Sequence, residues 1–460
     1  MFNVDFDNIS SLSVHFIGIG GISMSGLAKL LLFRGAKVSG SDRAPSELTR
    51  ELEDQGAKIC YDQSLGFIPD DTGVVVVTAA IAADNPEILT AKNRNIPVIT
   101  RAELLGQVMK QYELPVAVAG THGKTTTTSM LTQILLDSGC DPTSSIGGIL
   151  PSIGGNFRIG SDRYFVMEAC EYTNSFLSFF PKIAVILNID ADHLDFFRDL
   201  DDIRHSFTAF AKLLPDDGTL IINGQIPDLA GITGELSCRV VTYGIGEGFD
   251  VSASGITYDD LGHPSFTADI EGKRETFSLS VPGEHNVSNA CAAIAAARLL
   301  GIPFDSIRKA LKAFSGTDRR FEFKGKKNGF TIIDDYAHHP TEIRATLTAA
   351  KKYPHNKIIC VFQPHTYSRT KALLDEFADA LSLADEVILA DIYAARETDT
   401  LGISSKTLAE KLDKMGVSCC YLPSFEEIEK YIQKKCINGD LLITMGAGNI
   451  VKIGEDLLRS

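Results

Sequence analysis

The chain has 460 residues, with 44 Lys and Arg against 59 Asp and Glu, a formal net charge of −15. So acidic a surface repels phosphate backbones and excludes nucleic acid as the main partner. Hydrophobic residues make up 44% and charged residues 22%, an ordinary globular balance with material for roughly three domains.

The most apolar run, Val74 to Ala83, is far shorter than the roughly 20 residues a bilayer span needs. No basic-then-apolar leader opens the chain. The nine cysteines are scattered, with no C-x-x-C. These features predict a cytoplasmic protein with no membrane partner, no disulfide framework and no zinc site.

Short runs rich in β-branched residues alternate with amphipathic stretches from end to end, the pattern of parallel sheets covered by helices on both faces. The first run, Val14–Ile17, leads into Gly18-Ile19-Gly20-Gly21-Ile22-Ser23-Met24-Ser25-Gly26. This is a dinucleotide-type glycine turn with Ser23 in place of the third glycine, a shape that seats a phosphate on a helix N-terminus. Asp42 follows the next run and is placed for a ribose contact. A seam at Gln111–Pro115 ends a first domain, 1–112.

The strand-like run Val116–Ala119 then enters Gly120-Thr121-His122-Gly123-Lys124-Thr125, which predicts a helix ending near Gly139. Glycines there let backbone N–H groups converge on phosphate oxygens at a helix N-terminus; Lys124 reaches the terminal phosphates and the Thr125 hydroxyl serves Mg²⁺. A strict phosphate loop requires glycine at 118, where Val118 stands, so this loop is a shortened variant. Glu168 follows the run Tyr164–Met167, and Asn188–Asp195, containing His193, follows Ala184–Leu187. Both are predicted at the carboxyl edge beside the loop, where a carboxylate and an imidazole complete a divalent-metal shell. Residues 218–280 read as a β-rich extension of this second domain, 113–317.

A second seam, Ser315–Asp318, opens a third domain, 318–460. Arg319-Arg320-Phe321-Glu322 places a cationic pair where it reaches across to a phosphate. Four polar clusters then follow strand-like runs: Asp334–Glu342, Gln363–Thr370, Asp391–Glu397 and Met445–Asn449. Four on successive strand ends are predicted to line one edge. The first glycine turn alone would suit an oxidoreductase that binds NAD, but a phosphate loop in the next domain has no use in hydride transfer. Intact Lys124, Glu168 and His193 argue against a non-catalytic nucleotide-binding regulator.

Taken with Glu284-His285-Asn286-Val287-Ser288-Asn289-Ala290, these motifs resemble the Mur ligase family over the whole chain. The first turn and Asp334–Glu342 favour its alanine-adding branch. The resemblance implies an α/β protein of three domains: a Rossmann-like N-terminal domain, a central P-loop ATPase-type domain with a mostly parallel sheet, and a Rossmann-like C-terminal domain. It implies ligation of L-alanine to the lactyl carboxylate of UDP-N-acetylmuramic acid with ATP and Mg²⁺, by a monomer or homodimer. The sugar nucleotide is expected at Gly20, Gly21, Ser23 and Met24, with Asp42, Ala80 and Arg101 nearby. ATP is expected at Gly120, Thr121, His122, Gly123, Lys124, Thr125 and Thr126, with Asn286, Arg320 and Tyr336 completing its site. The metal is expected on Thr125, Glu168 and His193. His338, His365 and Arg369 are expected to handle the amino acid and an acyl-phosphate, with Ala447 at the substrate. Lys124, Glu168, His193, His338 and Arg369 are the implied catalytic set. Several related ligases carry a carbamylated lysine fifteen residues past the metal histidine, where this chain has Thr208.

Overall fold

The computed structural model describes residues 4, 6–78, 81–395 and 397–460. The expected α/β architecture is borne out as three sheets, mostly parallel. Their central strands, among them Val116–Ala119 and Ile358–Phe362, are buried along their whole length. Such runs cannot sit in a sheet with one wet face, and helices cover both sides.

The first sheet has five parallel strands in the order Lys58–Cys60, Lys37–Ser41, Ser13–Ile17, Val74–Val77, Val98–Thr100. Strand order reverses at Ser13–Ile17, so the crevice beyond its carboxyl end is a topological switch point. The glycine turn lies there and feeds the helix Ile22–Phe33.

The second sheet has ten strands. Leu114–Ala119 lies between Ile183–Ile186 and Tyr164–Glu168, parallel to both. The segment expected to differ, 218–280, continues this sheet: Thr219–Asn223, Arg239–Ile245 and Val251–Tyr258 join in parallel, and Pro264–Ile270 and Lys273–Ser278 close it antiparallel.

The third sheet runs Glu322–Lys327, Phe330–Asp335, Leu441–Met445, Ile358–Phe362, Glu386–Leu389, Cys419–Tyr421, with only the first strand antiparallel. The four strands that precede the polar clusters are neighbours and parallel, so their carboxyl ends form one edge, as the sequence predicts.

Packing divides the molecule unequally. Leu104, Leu105, Val108 and Met109, on the helix Arg101–Met109, share a hydrophobic cluster with Phe176, Phe207 and Phe210 beneath the second sheet. Phe176 and Phe210 stack with centroids 4.6 Å apart. At about 1.5–3 kcal/mol for each fully buried large side chain, this shared cluster joins the first two sheets firmly. The third sheet closes separate clusters of its own. It meets the second through polar contacts that include Thr341 with Asp190, His339 with the Ala191 carbonyl and Arg369 with Asp192, an arrangement that suits movement as a unit.

Candidate active site

The phosphate loop is built as its residues dictate. Gly123 has φ +84°, a left-handed conformation, and a Cβ there would lie 2.6 Å from Oδ1 of Asn289. Only glycine fits, and the helix Lys124–Asp137 starts immediately after it. Lys124 Nζ donates to the Gly120 carbonyl at 2.6 Å and the Thr121 carbonyl at 3.0 Å, and lies 2.9 Å from Oε2 of Glu171. Burial disfavours the ammonium, but Glu171 above all holds its pKa above the ordinary lysine value. Glu171 is 1% exposed and also faces His193, whose Nε2 is 3.8 Å from Oε1. No sequence motif marks it. Its only signal was a second carboxylate three residues after Glu168, past the end of the same strand.

Thr125 Oγ1 donates to Oε2 of Glu168 at 2.9 Å, and the Gly147 N–H reaches the same oxygen at 2.8 Å. Hydroxyl and carboxylate are hard oxygens of the kind magnesium takes, so these two residues fit a Mg²⁺ ion well. A side chain at Gly147 would overlap the Glu168 carboxylate, so the space beside it is kept open. His193 has φ +54° and rests against the Tyr172 ring with centroids 4.6 Å apart. Thr208, in the lysine position, bonds back to the Arg204 carbonyl at 2.9 Å.

Two cavities open where the second and third sheets face each other. One of about 320 Å³ is lined by His122, Gly123, Thr126, Asn286, Arg320 and Glu342 among others. Asn286 Nδ2 donates to the Pro282 carbonyl at 2.7 Å, and its Oδ1 accepts from Asn289 at 3.1 Å. Tyr336 does not line this cavity; its ring is flanked by the guanidinium groups of Arg319 and Arg320, at 4.9 and 5.3 Å. Arg319 is fastened to the third sheet through Asp334 at 2.9 Å and the Gly446 and Gly448 carbonyls, the loop that carries half-buried Ala447.

The other cavity, of about 600 Å³, is lined by Tyr172, Asp192, His193, His365, Arg369 and Lys371 among others. Arg369 Nη2 and Nε reach Oδ1 of Asp192 at 2.9 and 3.1 Å, and Nη1 lies 3.3 Å from Nδ1 of His365. A guanidinium only donates, so Nδ1 of His365 accepts and the neutral ring carries its proton on Nε2. His338 Nδ1 lies 3.1 Å from the Tyr336 carbonyl, which only accepts, so its proton is on Nδ1 and Nε2 has a free lone pair. Burial pulls both imidazoles down to about 4, and both are neutral at pH 7.

In the first sheet the Gly20 N–H donates to Oδ2 of Asp42 at 2.7 Å, so Asp42 braces the glycine turn. The Met24 side chain is core, Ser23 and Gly20 are half-buried and Gly21 is exposed. Met24 can therefore meet a ligand only through its backbone. Arg101 opens its helix where burial lowers its pKa while Cys170 and Glu168 oppose that, which places it toward the loop. Ala80 lies outside the described residues. Buried Glu87, which no motif marked, accepts from Ser41 Oγ at 2.6 Å and pairs with His15 at 3.0 Å. The Ser41 carbonyl receives the Gly18 and Ile19 N–H groups at 2.8 and 2.9 Å, so this network supports the turn from below.

Comparison with known proteins gives this geometry a family. Three family models match in order: the Mur ligase family catalytic domain at residues 13–113, the Mur ligase middle domain at 118–297, and the Mur ligase glutamate ligase domain at 319–448. The chain is 59% identical over 461 residues to a UDP-N-acetylmuramate–L-alanine ligase of Lachnospira eligens, covering all of both chains. It is 57% identical, again over the full length of both, to the protein of that name from Agathobacter rectalis. A crystal structure of the UDP-N-acetylmuramate–alanine ligase of Thermotoga maritima superposes with a TM-score of 0.80 at 30% identity, covering 98% of this chain and 99% of that one. By the order of its three segments, the build of its phosphate loop and full-length identity to these relatives, the chain belongs to the Mur ligase family.

Proposed function

We propose that this chain joins L-alanine to the lactyl carboxylate of UDP-N-acetylmuramic acid at the expense of ATP, in peptidoglycan precursor synthesis. The carrying observation is one juxtaposition. The ion pair of Asp192 and Arg369 sets the phosphate loop, with Lys124, Glu171, Glu168 and His193, directly against the neutral imidazoles of His338 and His365. The full-length relatives carry this name, and the three segments 1–112, 113–317 and 318–460 divide the work: sugar nucleotide, ATP and amino acid.

In this reading the lactyl carboxylate attacks the γ-phosphorus of ATP, and the bond to the β-phosphate bridging oxygen breaks. An acyl-phosphate and ADP result. Gly120, Thr121, Gly123 and Thr126, on a loop that His122 holds in place, cradle the phosphates, and Lys124 neutralises charge on the transferred group; such catalysis is chiefly positioning and electrostatics. Asn286 and Arg320 hold the nucleotide in the 320 Å³ cavity, with Tyr336 supporting Arg320 from behind. Thr125, Glu168 and His193 would hold Mg²⁺, which supplies positive charge to the phosphates.

In the second half-reaction the neutral alanine amine attacks the acyl carbon, the bond from that carbon to the phosphate oxygen breaks, and the departing inorganic phosphate takes up the proton that the nitrogen loses. Arg369 and the Nε2–H of His365 point two donors at the alanine carboxylate. Nε2 of His338 accepts a hydrogen bond from the neutral amine; at about 4 its basicity is too low to keep the proton. It therefore orients the amine lone pair. Gly20, Gly21, Ser23 and Met24, with Asp42, Ala80 and Arg101, hold the sugar nucleotide, and Ala447 borders the substrate.

The test is phosphate release from MgATP with both substrates, and with each omitted in turn. Release that needs both supports the reading. Release without UDP-N-acetylmuramic acid overturns it.

A further inference from the structure

The phosphate loop makes one contact with the third domain that this chemistry does not use. Nε2 of His122 lies 3.3 Å from Oδ2 of Asp190, just beyond the strand Ile183–Ile186. Its Nδ1 lies 3.3 Å from Oε1 of Glu342, in the first turn of the helix Pro340–Ala350. A ring that faces a carboxylate at each nitrogen donates at both and is an imidazolium. The loop backbone is held as well: His122 N–H donates to Asn188 Oδ1 at 2.8 Å, and Asn188 Nδ2 donates to the His122 carbonyl at 3.0 Å.

More contacts converge on the same point. Thr341 Oγ1 donates to Oδ2 of Asp190 at 2.6 Å. His339 Nε2 donates to the Ala191 carbonyl at 3.1 Å, and its Nδ1 accepts from the Thr341 N–H at 3.3 Å. His122, Asp190 and His339 bring potential metal-ligand atoms within 4.8 Å of one another. Both nitrogens of each imidazole are already engaged, however. The imidazolium supplies the positive charge that a metal would bring, and no lone pair is left to ligate one.

We propose that His122 is a positioning residue, an imidazolium clasp that fastens the phosphate loop to the third domain. Docking of that domain and the finished shape of the loop are then one event. The proposal rests on the ligase reading, in which ATP is held between the two domains. Two observations make the contact a clasp and not merely part of a common core. Its partners belong to units with separate hydrophobic clusters. Its third-domain partner, Glu342, also faces Arg320 at 3.9 Å and His338 at 3.3 Å, so one carboxylate links the loop to a nucleotide-binding and an amino-acid-binding residue.

The experiment uses the full chain carrying His122→Asn, Glu342→Gln and both together. Turnover is measured against ATP concentration, and small-angle scattering is recorded with and without a non-hydrolysable ATP analogue. Each single variant is expected to lose about tenfold in kcat/KM for ATP, the double variant no more than the worse single one. With the analogue, the variants are expected to scatter as a more extended particle than the parent chain. Losses that multiply in the double variant, or compaction equal to the parent's, overturn the clasp. If one variant fails to fold, the other half of the pair reads the same contact. Should the parent chain release no substrate-dependent phosphate, the ligase reading falls, and analogue-driven compaction still tests the clasp.

Discussion

Glu171 holds Lys124 through an ion pair of 2.9 Å and faces His193 from its other oxygen, 3.8 Å away. One buried carboxylate thus sets the position of both the loop cation and the imidazole expected on the metal. Glu171→Gln keeps the volume and one acceptor but frees the Lys124 charge. Because a misplacement of about 1 Å costs on the order of a hundredfold, kcat is expected to fall by about 10- to 100-fold with KM for ATP changed less. Lys124→Ala removes the charge itself, and about a thousandfold loss is expected. Steady-state phosphate release checks both; a Glu171→Gln chain within twofold of the parent would remove Glu171 from the site.

Arg369 grips Asp192 with two nitrogens, at 2.9 and 3.1 Å, and lends a third to His365. Lysine keeps the charge but cannot reproduce that fork. Charge-assisted hydrogen bonds are worth about 1.5–3 kcal/mol, so Arg369→Lys is expected to raise the KM for L-alanine by tenfold or more, with KM for ATP unchanged. Titrating alanine at saturating ATP and sugar nucleotide decides it. An unchanged alanine KM takes Arg369 out of the amino-acid site.

Residues with a local signature were legible in the sequence. The phosphate loop announces itself because glycine, lysine and threonine at fixed spacing follow a strand and open a helix. Glu168 and His193 were legible because strand ends in parallel sheets converge on one edge. Glu171 and Glu87 were not, since a buried carboxylate declares itself only through the partners that the fold brings to it, Lys124 in one case and Ser41 with His15 in the other. Tyr336 shows the same limit from the other side: the motif marks an aromatic ring, and only the fold reveals that Arg319 and Arg320 flank it. How the domains join was also hidden. The shared cluster of Leu104 and Phe176 depends on which helix faces which, and both are ordinary apolar residues in sequence.

That junction makes its own prediction. A Cβ at Gly106 would overlap the backbone carbonyl oxygen of Ser178, so the helix Arg101–Met109 approaches the second unit closely only because this position is glycine. Backbone cannot swing aside as a side-chain tip can. Gly106→Ala is expected to cost about 1–3 kcal/mol, the usual range for overpacking, and to lower Tm by several degrees. Thermal unfolding followed by calorimetry measures this. An unchanged Tm shows that the two units can separate there without penalty.

The charge on His122 gives the third domain a pH dependence with a fixed sign. Burial works against the imidazolium, but hydrogen bonds to Asp190 and then Glu342 outweigh it and raise the group from 6.5 to about 9. A pKa raised on folding means that the contact's contribution is complete below 6.5 and is lost as pH rises through about 9. The groups packed around the ring do not confuse the readout. Asp190 and Glu342 are held well below the ordinary carboxylate range and stay ionised, burial pulls His339 down toward its neutral form, and the Arg320 guanidinium faces Glu342 at 3.9 Å. Compaction by an ATP analogue, followed by scattering between pH 7 and 10, is therefore expected to weaken with a midpoint near 9. In His122→Asn, which has no proton to lose in this range, that transition is expected to vanish. A midpoint that persists in the variant assigns the titration to another group and leaves His122 without a role in docking.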